Sequence, residues 1–593
     1  MRLALAALAA VLALQAPSFG QCSTLTVGGA LQPGETITVD LTSATPGVPT
    51  FLLVGSYAGP TTFDLGDLGI LTVGLIPPFT LLSIGTTNGS GALSYSFDIP
   101  ASIPSCQLPR SLTLQTVSVG LTFGMPLLSF CVSNAATLLP GPLNTREALL
   151  QWNRITLDAN ALDHTPSYQG PPHTSGAQAG PCRTSRALAI VHIAMFETLI
   201  AVHGGYQSYV GLAPVTVPVS RPAAIAQAAH DTLVSLFPSQ AWIFDGQLAG
   251  DLGLIPNGAR KTAGINLGQA AAAAILAMRA TDGSNQAEPL VNTQFTCSIQ
   301  PGYWRQDPIV MHPLALGAYW SQVAPFVMTA AAQFRAPAMP PMTSAEYTSA
   351  YNEVKALGGD GVTTPTTRTQ DQTLAGIYWG YDGSPGLGTP PRFFNQIAVH
   401  LADQHGSNAL QLARLLALAN TAMADAGIAC WETKYFYQFW RPNSGIREAD
   451  AGTGPTGLGD GNPATIGDPT YTALGAPASN SLNPNFTPPF PAYTSGHATF
   501  GGATFQTLRR FYGTDNISFT MVSDELNGLT LDNLGNPRPL LPRTFANLSA
   551  AEEENGQSRI YLGIHWVFDK TAGITQGNGV GNWVFDHMFV PIP

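Results

Sequence analysis

The hydrophobic pattern of this chain changes near residue 140, and this change constrains its fold more than any other feature. In residues 22–135, short runs of Val, Leu, Ile, Thr and Phe alternate with turns rich in Gly, Pro and Asn, a pattern typical of strands. From residue 145 onward the apolar residues recur with the helical period instead. The sequence therefore predicts a mainly α protein, with a small all-β sandwich domain at 21–135 and a helical domain at 145–593.

The helical half divides into segments separated by loops rich in Pro and Gly. The segment 186–201 is apolar on nearly every face, so we expect it to be a buried helix. Further helices are expected at about 222–236, 258–281, 344–357, 389–404, 408–439, 495–513, 549–570 and 571–589. The long loop 443–488 is expected to line an active site, because long loops in compact domains often do so.

Residues 1–20 have the pattern of a signal peptide. Arg2 precedes an apolar run, and Ser18-Phe19-Gly20 supplies a small-x-small cleavage site. The run is too short to span a membrane, and no later uninterrupted apolar stretch reaches about 18 residues. The protein is therefore expected to be secreted, either extracellular or periplasmic, without a membrane span. Lipidation at Cys22 is the alternative, and Gln21 before it fits a lipidation site poorly.

Composition restricts the partners and the covalent links of the chain. The net charge is −11 and charged residues make up only 10%, which argues against nucleic acid as a partner. Six cysteines would enter an oxidising compartment, and a Cys106–Cys131 bridge or a bridge from Cys22 is a candidate. The cysteines show no CxxC motif and no zinc-like spacing with histidines.

The first motif with chemical meaning runs from Lys434 to Arg441, and the chain has only four lysines. Seven residues make nearly two helical turns, so both cations are expected on one helix face, with five aromatic residues between them. Burying these cations unpaired would cost several kcal/mol, so a bound anion or a carboxylate is expected nearby. Pro442 is expected to end the helix. The alternative is two cations that extend to solvent at a helix end.

The second motif is Ser495-Gly496-His497, which precedes an apolar helical segment. At a helix N-terminus the unpaired N–H groups and the helix dipole favour an anion. Ser495 can add a hydroxyl donor, Gly496 permits close backbone approach, and His497 can exchange a proton with the bound species. A serine N-cap beside an unrelated histidine is the alternative.

The third motif contains Arg559, His565 and Asp569. His565 and Asp569 are four residues apart, so on one helix Asp569 can accept a hydrogen bond from one ring nitrogen and leave the other nitrogen free. Arg559 lies six residues before His565, about 120° away on an ideal helix, so the spacing does not establish that the two converge. A core histidine satisfied by Asp569 is the alternative.

In combination these three motifs resemble the signature of the superfamily of type 2 phosphatidic acid phosphatases and vanadium haloperoxidases, over about residues 145–590. The chain is more similar to the chloroperoxidase branch, because Trp431 and Phe490 stand where that branch has Trp and Phe. The segments 378–384 and 388–393 also resemble that branch. Thr494 departs from the pattern, which usually has Pro before Ser-Gly-His. The resemblance implies that the helical domain is a haloperoxidase-like helical bundle.

The resemblance also implies a cofactor and the residues that hold it. The cofactor would be vanadate, and phosphate or sulfate could occupy the same site. His565 would be the metal ligand and His497 the acid–base group, while Lys434 would polarise the peroxide. Asp569 would orient His565, Asp382 would pair with Arg559, and an apolar wall near the halide would come from Trp431 and Phe490. The implied cofactor-binding residues are Lys434, Arg441, Ser495, Gly496, His497, Arg559 and His565.

The resemblance implies a vanadium-dependent haloperoxidase that oxidises halide with hydrogen peroxide to hypohalous acid. Bromide is the expected halide, and chloride is the second candidate. Its partners would be peroxide, halide and small organic acceptors; no oligomeric state is indicated. The main alternative is an acid phosphatase, with His565 as nucleophile, Asp569 orienting it and His497 protonating the leaving group. A third alternative is a secreted adhesion protein whose helical half has lost activity.

Overall fold

The computed structural model of the chain describes residues 143–592 without interruption and parts of the region before them. These parts are residues 21–28, 36–42, 44, 46, 48–55, 58–64, 70–75, 79–98, 112–122, 127–133 and 136–138. Helices make up 46% and strands 13%, which confirms a mainly α chain with a small N-terminal strand region. Two compact units are present. The first contains the residues up to 151 together with 167–173 and 242–256, and the second contains the rest.

The N-terminal region is a sheet of short strands. The strands described there are β1 Gln21–Gly28, β2 Thr36–Thr42, β3 Pro49–Gly55, β4 Ala58–Asp64, β5 Ile70–Leu75, β6 Phe79–Thr86, β7 Leu93–Asp98, β8 Leu112–Thr122, β9 Leu127–Ser133 and β10 Ala136–Leu138. They pair in the order β6-β3-β8-β9-β1-β2-β7, with β10 beside β8 and β4-β5 as a separate hairpin. The β1–β9 pair is parallel, and the other pairs are antiparallel.

The core of this sheet follows from alternation along the strands. In β2, Ile37, Val39 and Leu41 are buried while the residues between them are more exposed, as the two-residue period of a strand requires. One apolar cluster joins residues of β1 and β2 to residues of β3, β6 and β8. The predicted all-β character is therefore confirmed for the described strands. The candidate disulfides involve Cys106 and the side chains of Cys22 and Cys131, which lie outside the described residues.

The remainder of the chain is helical, apart from one hairpin. The helices are α1 Thr145–Asp163, α2 Pro181–His203, α3 Arg221–Leu236, α4 Ala241–Gly253, α5 Ala259–Arg279, α6 Ala345–Leu357, α7 Gln370–Tyr378, α8 Pro390–Gln404, α9 Ala409–Tyr437, α10 Pro442–Arg447, α11 Gly496–Tyr512, α12 Leu548–Tyr561 and α13 Val567–His587. The hairpin is formed by β11 Phe519–Asn527 and β12 Leu540–Phe545.

Most of the predicted helices are confirmed, but the predicted extent of the one at 549–570 is wrong. Residues 549–570 were expected to form a single helix, but α12 ends at Tyr561 and α13 begins at Val567. Gly563 between them has φ +72°, a left-handed conformation that ends helices and that glycine adopts readily. The hairpin β11–β12 and the helices α4 and α7 were not predicted, and helix α10 lies where the loop 443–488 was expected to begin.

Helix α9 forms the centre of the helical unit. The helix begins with a capping box at Asn408. It packs against α2, α11 and α13. Helices α2 and α9 are long and apolar enough to cross a membrane by length and composition, but their apolar stretches are 89% and 94% buried inside the protein. Both are therefore core helices of this unit, and the predicted burial of 186–201 is confirmed.

Helices α11 and α13 pack with their backbones unusually close together. A Cβ atom on Gly577 would collide with the Thr499 carbonyl, and one on Gly581 would lie 2.7 Å from the Ala503 carbonyl oxygen. The absence of side chains at these positions lets the two helices approach closely. This packing fixes the N-terminus of α11 against the N-terminus of α13, and both ends carry residues of the predicted site.

Candidate active site

Ser495, Gly496 and His497 lie at the N-terminus of α11, as predicted. Ser495 is the N-cap, and its hydroxyl oxygen accepts a hydrogen bond from the Ala498 N–H at 3.5 Å. The Ser495 N–H donates to the Asp569 carbonyl at 3.0 Å. A Cβ atom on Gly496 would lie 3.2 Å from the Trp431 ring, so glycine allows the indole to cover this helix end. All three residues are buried.

Lys434 lies in the last turn of α9 and is fully buried. Its Nζ donates hydrogen bonds to the carbonyl oxygens of Pro491 at 2.8 Å and Ala492 at 3.0 Å, and also to that of Thr494. Burial lowers the pKa of Lys434 to about 7, because desolvation disfavours the ammonium form. The lysine is therefore held by backbone dipoles of the segment before Ser-Gly-His, and these dipoles do not neutralise its charge.

The predicted placement of Arg441 on the same helix as Lys434 is wrong. Helix α9 ends at Tyr437, where Gln438 adopts the left-handed conformation with φ 52°. Arg441 instead precedes α10, and Pro442 begins that helix, as proline is suited to do. The two cations still converge, because both bind carbonyls of the same segment before α11.

Arg441 is buried among backbone carbonyls and one histidine. Its Nε donates to the Phe490 carbonyl at 2.9 Å, and its Nη1 donates to the Ile564 carbonyl at 2.8 Å and to Nε2 of His565 at 2.9 Å. Its Nη2 is buried and has no hydrogen-bond partner among the described residues. Burial lowers the pKa of Arg441 to about 9. This guanidinium has a donor available for a further acceptor.

His565 and Asp569 form the predicted pair, but not on one helix. His565 lies in the break between α12 and α13, and Asp569 lies in the first turn of α13. Nδ1 of His565 lies 2.8 Å from Oδ2 of Asp569, and the same oxygen accepts the Trp566 N–H at 3.0 Å. Burial raises the pKa of Asp569 to about 7. The hydrogen bond between His565 and Asp569 is therefore formed across the start of α13, and not within one continuous helix as expected.

The partners of His565 identify its tautomer. Nδ1 faces a carboxylate and therefore carries the proton, whereas Nε2 faces an Arg441 N–H donor and therefore carries the lone pair. The pKa of His565 is lowered well below its usual value, first by burial and then by the charges of Arg441, Lys434 and Arg559. Nε2 is thus an available ligand or nucleophile at neutral pH.

Arg559 and His497 are the remaining predicted members of the site. Both oxygens of Asp382 accept hydrogen bonds from Nη2 of Arg559 at 2.8 Å, as the resemblance implied. Nε of Arg559 is buried without a partner in the described part of the chain. Nε2 of His497 lies 2.7 Å from the Gly380 carbonyl oxygen. Burial, and then the charge of Arg559, lowers the pKa of His497 to about 4.

Trp431 and Phe490 form an apolar wall over the lysine. Their ring centroids are 4.8 Å apart, and Nζ of Lys434 lies 5.4 Å and 5.1 Å from them. The indole N–H of Trp431 donates to the Leu316 carbonyl at 3.0 Å. The wall is therefore fixed in orientation and keeps water away from one side of the cation.

All the predicted site residues belong to the helical unit, and their contacts bring them into one region. Lys434 and Arg441 share the 490–494 carbonyls, Arg441 contacts His565, and the charge of Arg559 acts on both histidines. Three buried cations face the carboxylates of Asp382 and Asp569. With two unpaired guanidinium N–H donors and a helix N-terminus, the region is suited to a tetrahedral oxyanion.

Sequence reasoning missed two residues that support the site, Gly380 and Glu525. Gly380 accepts the His497 hydrogen bond, and it lies inside a segment that the resemblance had already indicated without assigning it a role. Glu525 is fully buried and accepts the Tyr381 N–H at 3.0 Å. An acidic residue in an apolar strand is a weak signal of a buried partner, and the strand itself was not predicted.

Two comparisons of the sequence with known proteins found similarities. A family model described as the VCPO second helical-bundle domain matches residues 414–592. The vanadium chloroperoxidase of Curvularia inaequalis is 32% identical over 517 residues, covering 73% of this chain and 80% of that protein.

Among solved structures, similarity in fold is found to the first bacterial vanadium-dependent iodoperoxidase, with a TM-score of 0.57 and 22% identity, over 76% of this chain and 98% of that one. The holo-type bacterial vanadium-dependent chloroperoxidase gives a TM-score of 0.51 and 15% identity, over 73% and 97%.

Proposed function

Because the chain belongs to the vanadium chloroperoxidase family, we propose that it is a vanadium-dependent haloperoxidase that oxidises bromide, with chloride as the second candidate halide, using hydrogen peroxide. In the balanced reaction, two electrons pass from the halide to the peroxide oxygen, one proton is consumed, and hypohalous acid and water are released. The single observation that carries the proposal is the cluster of Lys434, Arg441 and Arg559 around the lone pair on Nε2 of His565.

The residues present fit vanadate as the cofactor. Nε2 of His565 offers the lone pair that a metal requires, and the unpaired Nη2 of Arg441 and Nε of Arg559 are two donors for oxygens of a tetrahedral anion. Lys434, the Ser495 hydroxyl and the Gly496 N–H would supply further donors. Bound vanadate would supply an electrophilic centre that activates peroxide.

His565 is prepared for this role by Asp569. The carboxylate keeps the proton on Nδ1, so the lone pair stays on Nε2. In the structure an Arg441 N–H donates to that lone pair at 2.9 Å. A bound oxyanion would give the same N–H an oxygen acceptor and release Nε2 for the metal.

The three cations are buried and would hold a negatively charged group. Lys434 and Arg441 bind backbone carbonyls, which do not neutralise their positive charges. Electrostatic attraction to an anion is stronger in such a buried environment than in water. Arg559 is oriented by Asp382, and its buried Nε has no partner among the described residues. Together these residues would bind the oxyanion and stabilise charge that develops on its oxygens.

His497 would move a proton of the peroxide during the reaction, and the proton consumed overall would come from solution. Its Nε2 donates to the Gly380 carbonyl, so Nδ1 carries the lone pair. Because burial lowers the pKa of His497 to about 4, the ring is neutral at neutral pH and can accept a proton from peroxide, then return it to the departing oxygen. Trp431 and Phe490 provide an apolar surface beside Lys434 on which a weakly hydrated halide can lie.

The test is a pair of assays on one preparation. Halogenation of monochlorodimedone is measured with peroxide and either bromide or chloride, with and without added vanadate, beside hydrolysis of p-nitrophenyl phosphate. We expect vanadate-dependent halogenation. Phosphatase activity that vanadate inhibits, without halogenation, would instead support a phosphohistidine mechanism at His565, since the same cations would bind phosphate.

We also propose that the protein is exported. The support is the pattern of residues 1–20, with Arg2, an apolar run and a small-x-small site before Gln21. N-terminal sequencing of the protein recovered outside the cytoplasm should begin at Gln21. An intracellular protein that retains Met1 would contradict export and would leave the catalytic proposal unaffected.

A further inference from the structure

The peptide group between Gly380 and Tyr381 lies between His497 and a buried carboxylate. Its carbonyl oxygen lies 2.7 Å from Nε2 of His497, and its N–H donates to Oε1 of Glu525 at 3.0 Å. Because a trans peptide is planar and its C=O and N–H point in opposite directions, the two partners lie at opposite ends of one rigid group. Glu525 is therefore connected to His497 through a single peptide.

Glu525 is fixed in this position from its other side. It lies on β11 and is fully buried. Its Oε2 accepts a hydrogen bond from the Ser479 hydroxyl at 2.6 Å and forms an ion pair with Arg538. A Cβ atom on Gly380 would collide with Oε1, so the carboxylate packs directly against the peptide. This is a fully hydrogen-bonded carboxylate in ion-pair contact, as a buried anion requires.

The segment that Glu525 holds contacts both His497 and Arg559. Tyr381 has φ 56°, an uncommon conformation for a residue with a side chain, and the next residue, Asp382, orients Arg559. The Trp379 carbonyl also accepts a weak hydrogen bond from Arg559 at 3.4 Å. Displacement of this segment would therefore alter His497 and Arg559 together.

We propose that Glu525 is a positioning residue for His497, acting through the Gly380–Tyr381 peptide. The carboxylate polarises the peptide, so the Gly380 carbonyl becomes a stronger acceptor for the His497 Nε2–H. This keeps the proton on Nε2 and the lone pair on Nδ1, the nitrogen that exchanges a proton in the proposed reaction. The inference rests on the proposed function in assigning that exchange, but the connection itself does not.

Other charges around the two groups are accounted for. His497 faces the charges of Arg559 and Asp382 and acts in turn on His565. Glu525 faces Arg538 and, more distantly, Asp382. Since Arg559 and Asp382 are paired with each other, neither replaces the effect of a carboxylate placed at the far end of the peptide.

The first test is Glu525→Gln in the full-length, vanadate-loaded protein. Gln keeps an oxygen that can accept the Tyr381 N–H but removes the charge. We expect kcat for bromide oxidation to fall about tenfold with KM for bromide changed less than about twofold, the pattern of a weakened proton transfer. The matched control is Glu552→Gln. It also removes a buried carboxylate that is ion-paired, in this case with Arg509, and it should leave kcat unchanged.

A double-mutant cycle separates positioning from general damage. In a His497→Ala background, Glu525→Gln should lower kcat far less than in the wild type, because its main target is already absent. An equal loss of kcat in both backgrounds would overturn the proposal and make Glu525 a purely structural residue. If Glu525→Gln does not fold, Ser479→Ala withdraws one hydrogen bond from the same carboxylate and should give a smaller loss of kcat, which is likewise reduced in the His497→Ala background.

The second readout needs no turnover. In vanadate-free protein labelled with 15N-histidine, the Nε2–H proton of His497, identified by its absence in His497→Ala, should lie strongly downfield and move upfield in Glu525→Gln. An unchanged signal in that variant would refute the connection. If the wild-type protein showed this signal but no halogenation, the proposed function would fail while the connection would stand.

Discussion

The cations of the candidate site are held in two different ways. In one group, which we call the carbonyl wall, Lys434 and Arg441 bind backbone carbonyls of 490–494 and Ile564. In the other group, the carboxylate wall, Arg559 binds both oxygens of Asp382. Burial lowers the pKa of Lys434 to about 7 and that of Arg441 to about 9 on the carbonyl wall, because desolvation disfavours the charged form. Carbonyl dipoles compensate a buried charge less than a carboxylate does.

This difference indicates a division of labour. A buried cation with only carbonyl partners is stabilised further by any anion that enters, so the carbonyl wall should supply most of the oxyanion affinity. A cation already paired with a carboxylate gains less from an anion but is held in a defined orientation. The carboxylate wall, which also carries His497, should therefore affect turnover more than binding.

The largest expected effect lies at His565, where the two walls meet. His565→Ala removes the proposed metal ligand, so vanadate retention after dialysis and halogenation should both be abolished. His587→Ala, which removes an exposed histidine stacked on Trp583, is the control and should retain both. Full activity of His565→Ala would show that neither wall serves a histidine-bound anion.

The second-largest effect is expected at Lys434, where loss of the charge tests whether the carbonyl wall supplies the affinity for vanadate. Lys434→Met keeps most of the length of the side chain and removes the charge, so vanadate affinity should fall about 10- to 100-fold, the value of a hydrogen bond between charged partners. Isothermal titration of the vanadate-free protein measures this. A change below about twofold would mean that the carbonyl wall does not supply the affinity.

Asp382→Asn should produce the reverse pattern. The amide can keep one hydrogen bond to Arg559 but removes the charge that orients it, so kcat should fall while vanadate affinity changes less than in Lys434→Met. Steady-state halogenation and titration on the same preparations make the comparison. If Asp382→Asn weakened binding as much as Lys434→Met, the proposed division between the walls would be wrong.

A pH series sharpens the comparison further. The lowered pKa of Lys434 means that it is charged below about pH 7 and neutral above. Because an anion binds the charged form, vanadate affinity should decrease as the pH rises through 7. This decrease of affinity with pH should be shallower in Lys434→Met, because the lysine no longer titrates and only the protonation of vanadate itself still contributes. Identical slopes in the two proteins would exclude Lys434 as the titrating group.

The smallest effect is expected from the N-terminal sheet. Neither wall contains a residue of that region, so deletion of residues 21–138 should leave kcat and vanadate affinity unchanged. The matched measurement is the same pair of assays on the shortened chain. A loss of affinity would show that the first unit contributes to one of the walls.

The sequence predicted the elements of the site better than their connections. The change of hydrophobic period located the strand and helical regions, and Ser495 was correctly placed at a helix start because N-caps depend on local residues. The helix breaks at Gln438 and before His565 were missed, since each depends on a left-handed residue that tertiary contacts stabilise.

Long-range partners were harder to predict than local structure. The carbonyls that bind Lys434 lie nearly 60 residues away, and a backbone acceptor leaves no mark in side-chain identity. Glu525 could not be connected to His497 because the contact passes through the Gly380–Tyr381 peptide. The Asp382–Arg559 pair was anticipated only through family resemblance, because a separation of 177 residues gives no local signal.

The most direct test of the central claim is a crystal structure of the protein soaked with vanadate. Both walls should contact one oxyanion, with vanadium bonded to Nε2 of His565 and oxygens within hydrogen-bonding distance of Lys434, Arg441 and Arg559. Vanadate bound elsewhere, or bound to one wall with the other turned away, would contradict the account.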